Sequence, residues 1–393
     1  MATISRGIKA PIIREGDDIV SIVCDCVLSA SKEQGFTLRD RDVVAVTEAV
    51  VARAAGNYAT VDAIAEDVRR KLGGNTIGLV FPILSRNRFA ICLRGIARGA
   101  RKVVVQLGYP SDEVGNHLVD IDALDDSGID PYKDVLSVAE FRRHFGTPLH
   151  PFTGVDYISY YTQLIEEEGA EAEIILANRP EAILAYADKV LCCDTHTRFR
   201  TQRRILAAGA DVCLTLCDIL NAPVNGSGYN EKYGLLGSNK ATEGVVKLFP
   251  NNAQEVAEAI SARLCAATGK RIEAMVYGDG AFKDPVGKIW ELADPVVSPG
   301  FTDGLNGLPN ELKLKYLADN DFADLKGEEL RSAIENAIRK KDADLKGSMA
   351  TQGTTPRRLT DLLGSLCDLT SGSGDKGTPI VYIQGYFDNY TND

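Results

Sequence analysis

RLTDLLGSLCDLTSGSGDKGTPIVYIQGY, residues 358–386, decides the reading of this chain. Leu359, Leu362, Leu363, Leu366 and Cys367 recur at i, i+3, i+4, i+7 and i+8, the apolar stripe of a packed helix. Residues 371–377, SGSGDKG, then form a loop with little side-chain bulk, and PIVYI at 379–383 reads as a short buried strand. Glycine lets successive backbone N–H groups point at one spot, and Lys376 adds a cation, so the loop reads as a cradle for a phosphate chain. The same residues spell G-x-G-x-x-G at Gly372, Gly374 and Gly377. A dinucleotide-binding fingerprint runs strand, glycines, helix, so that the pyrophosphate meets a helix N-terminus. Here the order is helix, glycines, strand, which argues against a dinucleotide. The competing reading of the loop is an ordinary surface turn.

A chain of 393 residues is long for one core and predicts two or three domains. Its net charge of −11 argues against a nucleic-acid binder or a membrane-surface binder. It does not bear on a metal-complexed nucleotide, for which only local charge matters. The 9 cysteines are an odd number without zinc-ribbon spacing, and read as reduced, mostly buried thiols of a cytosolic protein. The opening MATISRGIKAPIIREGDD has no apolar signal-peptide core, and no window reads as a membrane span.

Outward from the decisive stretch, alternating patterns continue. Strands are expected at 42–47, 88–93 and 102–107, with helices at 48–53 and 63–72. Residues 111–220 read as α/β with a parallel sheet: helix 157–168, strand 172–176, helix 181–187, strand 189–193, helix 201–208 and strand 212–216. A helix at 253–268 carries Ala253, Val256, Ala257, Ile260 and Leu264 on one face, and a strand at 272–277 ends in Gly278-Asp279-Gly280. Residues 303–347 are charged, helical around 311–317 and 328–340, and read as a solvated peripheral insertion.

Asp279 stands where a buried strand meets glycines. Carboxylate oxygen there suits Mg²⁺ or Mn²⁺, and the alternative is an Asx-turn. Asp194, with Thr195 and His196, also follows a strand and is either a ligand set or a helix cap. Arg198, Arg200, Arg203 and Arg204 either hold an acidic substrate or line a helix face. His117, His144, His150 and His196 lie too far apart for ligand spacing. There is no G-x-S-x-G elbow and no P-loop, because Phe282 stands where the first glycine before Gly287-Lys288 belongs.

Three separated blocks together resemble the coenzyme F420-0:L-glutamate ligase family. The first is APIIREGDD at 10–18 with DVVAVTEAVVARAAG at 42–56, similar to the family's nucleotide-contacting region, with Arg53 where a Lys usually stands. The second runs from Gly237-Ser238-Asn239 through KLFP at 247–250 to the strand that delivers Asp279. The third is the terminal helix–glycine loop–strand. The resemblance covers about half of the chain. It implies an α+β fold, a two-domain ligase-like core of mixed sheets formed by residues 1–110 and 221–393, with an α/β region inserted at 111–220. It implies GTP (or ATP) as co-substrate with Mg or Mn, a small-molecule acceptor, L-glutamate and a homodimer.

Carried over by position, the resemblance gives nucleotide contacts at Pro11, Ile12, Glu48, Arg53, Asn239, Gly372, Gly374, Asp375, Lys376 and Gly377. It gives metal contacts at Asp279 and Ser373, with Asp194 as a candidate from the inserted region. It assigns no catalytic acid or base. Leu236 stands where the family's first metal-binding Asp is expected, with Asn230 or Glu231 as possible substitutes, and Gly280 replaces a Thr. The expected activity is amide formation: GTP phosphorylates a carboxylate, and the amine of glutamate displaces the phosphate. Two other readings stay open. One is a catalytically silent nucleotide- or metabolite-binding relative. The other is a different α/β enzyme working through Asp194 and the arginines.

Overall fold

The computed structural model describes residues 2–151, 153–278, 281–283, 290–292, 298–342, 344–345, 347–351, 358–372, 376–389 and 391. From the N-terminus come β1 (Ile4–Ile8), α1 (Ile19–Gln34), β2 (Val43–Thr47), α2 (Glu48–Ala54), β3 (Tyr58–Thr60) and α3 (Val61–Leu72). Next are β4 (Thr76–Val80), α4 (Phe89–Arg98), β5 (Lys102–Leu107), α5 (Ile121–Asp126), β6 (Leu136–Ser137), α6 (Val138–Phe145), α7 (Tyr157–Glu167) and β7 (Glu171–Leu176). β8 (Lys189–Cys192), α8 (Arg198–Ala207), β9 (Val212–Thr215), β10 (Asn239–Thr242), β11 (Val245–Lys247), α9 (Ala253–Thr268) and β12 (Glu273–Tyr277) follow. The chain closes with β13 (Ala281–Lys283), β14 (Trp290–Leu292), β15 (Gly300–Phe301), α10 (Leu314–Tyr316), α11 (Gly327–Lys340), α12 (Leu359–Ser371) and β16 (Ile380–Gln384).

The strands form mixed sheets. In the first, the order is β1-β16-β2-β12-β15. β2 and β12 run parallel, while β16 is antiparallel to both β1 and β2. Both faces of the inner strands are covered, so β2, β12 and β16 are buried along their whole length, while the edge strand β1 is half-buried or exposed before Ile8. Val44 and Val46 face a core that includes Val23 and Val27 of α1 and Ile260 and Leu264 of α9. Val43 and Ala45, on the opposite face, pack with Leu363 and Cys367 of α12. The period of two along β2 divides these cores.

The second sheet has the order β6-β7-β5-β4-β8-β9, parallel except for β6. The chain winds outward from β4 to β5 and β7, then returns to β8 and β9 on the other side. That is a doubly wound sheet whose switch point lies between β4 and β8. Its strands come from both sides of position 110: β4 and β5 share the sheet with β7, β8 and β9. A third, small sheet joins β10, β11 and β3.

Two of the elements assigned from the sequence have a different type. Residues 88–93 are not a strand but the start of α4. Phe89, Cys92, Leu93, Ile96 and Ala97 are buried at helical spacing, and the period shows only when the window extends past residue 93. Gly95 permits the close crossing of α4 over α3, since a Cβ there would lie 2.6 Å from Ile64. Residues 181–187 form a 3₁₀ turn, Pro180–Ala185, and not an α-helix. Its six residues, entered through a proline, are too few to propagate an α-helix on their own. The 303–347 stretch has its own small apolar cluster around Leu312, Leu317 and Leu345. All nine cysteines are free thiols. No helix among the described residues is long and apolar enough to cross a membrane.

Candidate active site

One edge of the first sheet gathers chain segments far apart in sequence. Because β1, β2 and β12 point the same way and β16 points back, the ends of the first three lie beside the start of the fourth. Ile8 and Val46 both flank Ile380, and Thr47 flanks Tyr277. The Thr47 N–H donates to the Pro379 carbonyl at 3.0 Å, and the Ala10 N–H to the Gly377 carbonyl at 3.3 Å. The exposed Pro11 and Ile12, the start of α2, the chain leaving Tyr277 and the loop at Lys376 and Gly377 therefore meet. Asp279, Ser373, Gly374 and Asp375 lie outside the described residues.

Glu48 opens α2. Thr47 precedes it in extended conformation, its hydroxyl accepting from the Ala49 N–H, and the helix N-terminus favours a carboxylate. Glu48 is buried, and the Lys247 ammonium reaches its Oε1 at 2.6 Å. Lys247 ends β11, where Asn239 of β10 is its partner on one side and Tyr58 of β3 on the other. The small sheet is thus tied to α2 by charge, with Asn239 beside the tie. Arg53, near the end of the same helix, is exposed and makes no ion pair with any described residue.

The Gly237-Ser238-Asn239 turn is held from behind. A Cβ on Gly237 would come within 1.8 Å of the Phe249 ring, so only glycine fits. The Ser238 hydroxyl and the Cys92 thiol of α4 share a hydrogen bond of 3.1 Å. Leu236 packs against the larger apolar core, so this position serves packing and offers no ligand. Asn230 is buried and shapes its own loop: its amide donates to the Phe249 carbonyl at 3.1 Å, and its Oδ1 accepts from the N–H groups of Lys232 and Tyr233. Glu231 is exposed.

At the C-terminal segment, α12 ends in Gly372, left-handed at φ 57°. Tyr277 Oη donates to Ser371 Oγ at 2.8 Å in the interior, fixing the end of α12 against the end of β12. The Thr378 hydroxyl, just past Gly377, is buried without a hydrogen-bond partner among the described residues. Among the described residues no three His, Cys, Asp or Glu side chains converge. The side-chain oxygens at this edge, the Glu48 carboxylate and the Thr378 hydroxyl, are hard donors of the kind Mg²⁺ and Mn²⁺ prefer, and Glu48 already holds a cation.

Asp194 sits elsewhere, past β8 at the switch point of the second sheet. Its Oδ2 accepts from the Thr197 and Thr201 hydroxyls at 2.6 and 2.7 Å. Burial pushes its pKa up, and the nearby Glu113 adds to the push. Glu113 itself accepts from the N–H groups of Thr195 and His196. The arginines divide: Arg198 donates to the Thr195 carbonyl and Arg204 pairs with Glu181, while Arg200 and Arg203 are exposed.

Sequence reasoning did not single out Lys247, Tyr277 or Ser371. The available signal for Lys247 is a charge inside the apolar run VVKLF at 245–249. A family model described as F420-0:Gamma-glutamyl ligase matches residues 7–385. The chain belongs to the F420-0:gamma-glutamyl ligase family. The match spans the first sheet, the second sheet and the turn at Gly237, so the doubly wound part lies within the family span. No curated protein matches the chain significantly.

Proposed function

We propose that this family member is an amide-forming ligase that joins L-glutamate, or a similar amine, to a carboxylate of a cofactor-like acceptor. GTP or ATP is the phosphoryl donor. The observation that carries the reading is the end of β2, where the Thr47 N–H donates to the Pro379 carbonyl and the next residue, Glu48, pairs in the interior with Lys247, the strand partner of Asn239.

The acceptor carboxylate oxygen takes the terminal phosphoryl group as its bond to the nucleoside diphosphate breaks. The amine then attacks the acyl carbon, loses a proton, and inorganic phosphate leaves. Such transfer is catalysed chiefly by positioning and by compensation of phosphate charge. A bound Mg²⁺ or Mn²⁺, held by Asp279 with Ser373, would offset triphosphate charge. Gly372, Gly374, Asp375, Lys376 and Gly377 cradle phosphate, while Pro11, Ile12, Arg53 and Asn239 contact the nucleotide. The working form is a homodimer.

Calorimetric titration of the chain with GTP and with ATP, each with and without Mn²⁺, tests this. Metal-dependent binding that weakens in Asp279→Asn is expected, and no binding of either nucleotide refutes it. Leu236 in the apolar core favours a second reading, a silent nucleotide-binding relative. Binding without phosphate release across a panel of acids and amines decides for that one.

A further inference from the structure

Lys247 is a lysine in an apolar strand. Val246, Leu248 and Phe249 around it are fully buried, and its own side chain is 12% exposed. Desolvating an ion pair costs several kcal/mol per ion, and apolar replacements are often as stable, so packing alone gives no reason for a charge here. An ammonium has three N–H donors. One reaches Glu48 Oε1 at 2.6 Å, and the ammonium makes no other hydrogen bond with the described residues. The two remaining donors belong to a side chain whose strand partner is Asn239 and whose carboxylate partner follows Thr47, and the Thr47 N–H donates to the Pro379 carbonyl just past the Gly377 segment. A compact cation with unused donors, fixed by a buried carboxylate beside a glycine turn, matches a terminal phosphate.

We propose that Lys247 contacts the terminal phosphoryl group of the nucleotide, with Glu48 as the positioning residue that aims it. The inference rests on the ligase reading above. One N–H stays on Glu48 and the others meet phosphoryl oxygens. No proton is transferred, and the cation offsets charge on the equatorial oxygens as the phosphoryl group passes to the acceptor.

The test compares Mn²⁺–GTP with Mn²⁺–GDP, and the ATP pair likewise, by calorimetry on the full chain. Wild type, Lys247→Met and the apolar double variant Glu48→Leu/Lys247→Met are titrated; the double variant removes both charges and guards against a folding defect. A charge-assisted hydrogen bond to the terminal phosphate predicts that both variants lose about 10–100-fold in triphosphate affinity. Diphosphate affinity should change by less than about 3-fold, half a decade in binding constant. Glu48→Gln should show the same selective loss to a smaller degree. Equal loss for triphosphate and diphosphate, or no loss, overturns the role of Lys247 while leaving the ligase reading intact. Wild type that binds no nucleotide removes the ligase reading, and this inference with it.

Discussion

Glu48 and Asp194 are both buried carboxylates that follow an inner parallel strand, and the protein neutralises them differently. Glu48, at the end of β2, meets an ammonium from a strand of another sheet. Asp194, past β8, meets two hydroxyls of its own succeeding segment, and burial raises its pKa. The first arrangement keeps a charge pair with donors to spare where several segments converge. The second turns its acceptor toward local caps. The proposed phosphate chemistry rests on the first sheet, while Asp194 sits at the switch point of the second, the usual ligand position of a doubly wound sheet.

The largest test of this contrast is Glu48→Ala. It strands the Lys247 ammonium in the interior and should cost about 3–5 kcal/mol in urea denaturation. A loss below about 1 kcal/mol would place the pair among surface ion pairs and erase the contrast. Next, Gly237→Ala drives a methyl group into the Phe249 ring. A loss of about 3 kcal/mol is expected, eased when Phe249→Leu is added; absence of that easing would show that the turn is not pinned by the ring. Tyr277→Phe removes the hydroxyl that donates to Ser371, and thermal unfolding should register about 1 kcal/mol. Nucleotide affinity should drop with it, because the glycine segment starts at that contact.

A pH series probes the Asp194 side. The folded protein holds the Asp194 proton to higher pH than the unfolded chain, so between the two pKa values the folded state binds more protons and stability falls as pH rises. Relative to Asp194→Asn, the wild-type protein should therefore lose stability from about pH 3 towards neutrality. A difference that is flat or grows with pH would show that the carboxylate is favoured in its charged form. The smallest effect is expected from Arg53→Ala, within about 0.5 kcal/mol in stability because the side chain is exposed. Any nucleotide affinity it loses then reports a direct contact.

The helix at 253–268 was legible because its period persists, and it was read with both boundaries as the structure has them, whereas α1, of the same length, was not read. The strands β2, β12 and β16 were legible as apolar runs between turn signals. The segment at 88–93 misled because six apolar-rich residues carry less than two helical turns, and strand and helix look alike over that length. Glu48 and Asn239 were reached through resemblance, and both are partners of Lys247, whereas Lys247 was passed over because Glu48 is 199 residues away. No local pattern pairs them.

The sequence by itself determined many of the local elements, the helix–glycine–strand order at residues 358–386 that separates this loop from a dinucleotide fingerprint, and the family. These follow from periodicity, turn chemistry and residue order, which are properties of neighbouring residues. Only the tertiary structure decided that β4 and β5 join the doubly wound sheet with β7, β8 and β9, that Leu236 belongs to a core, and that Lys247 meets Glu48. Those depend on strand order and burial, and both are settled when distant segments compete to cover the same apolar faces.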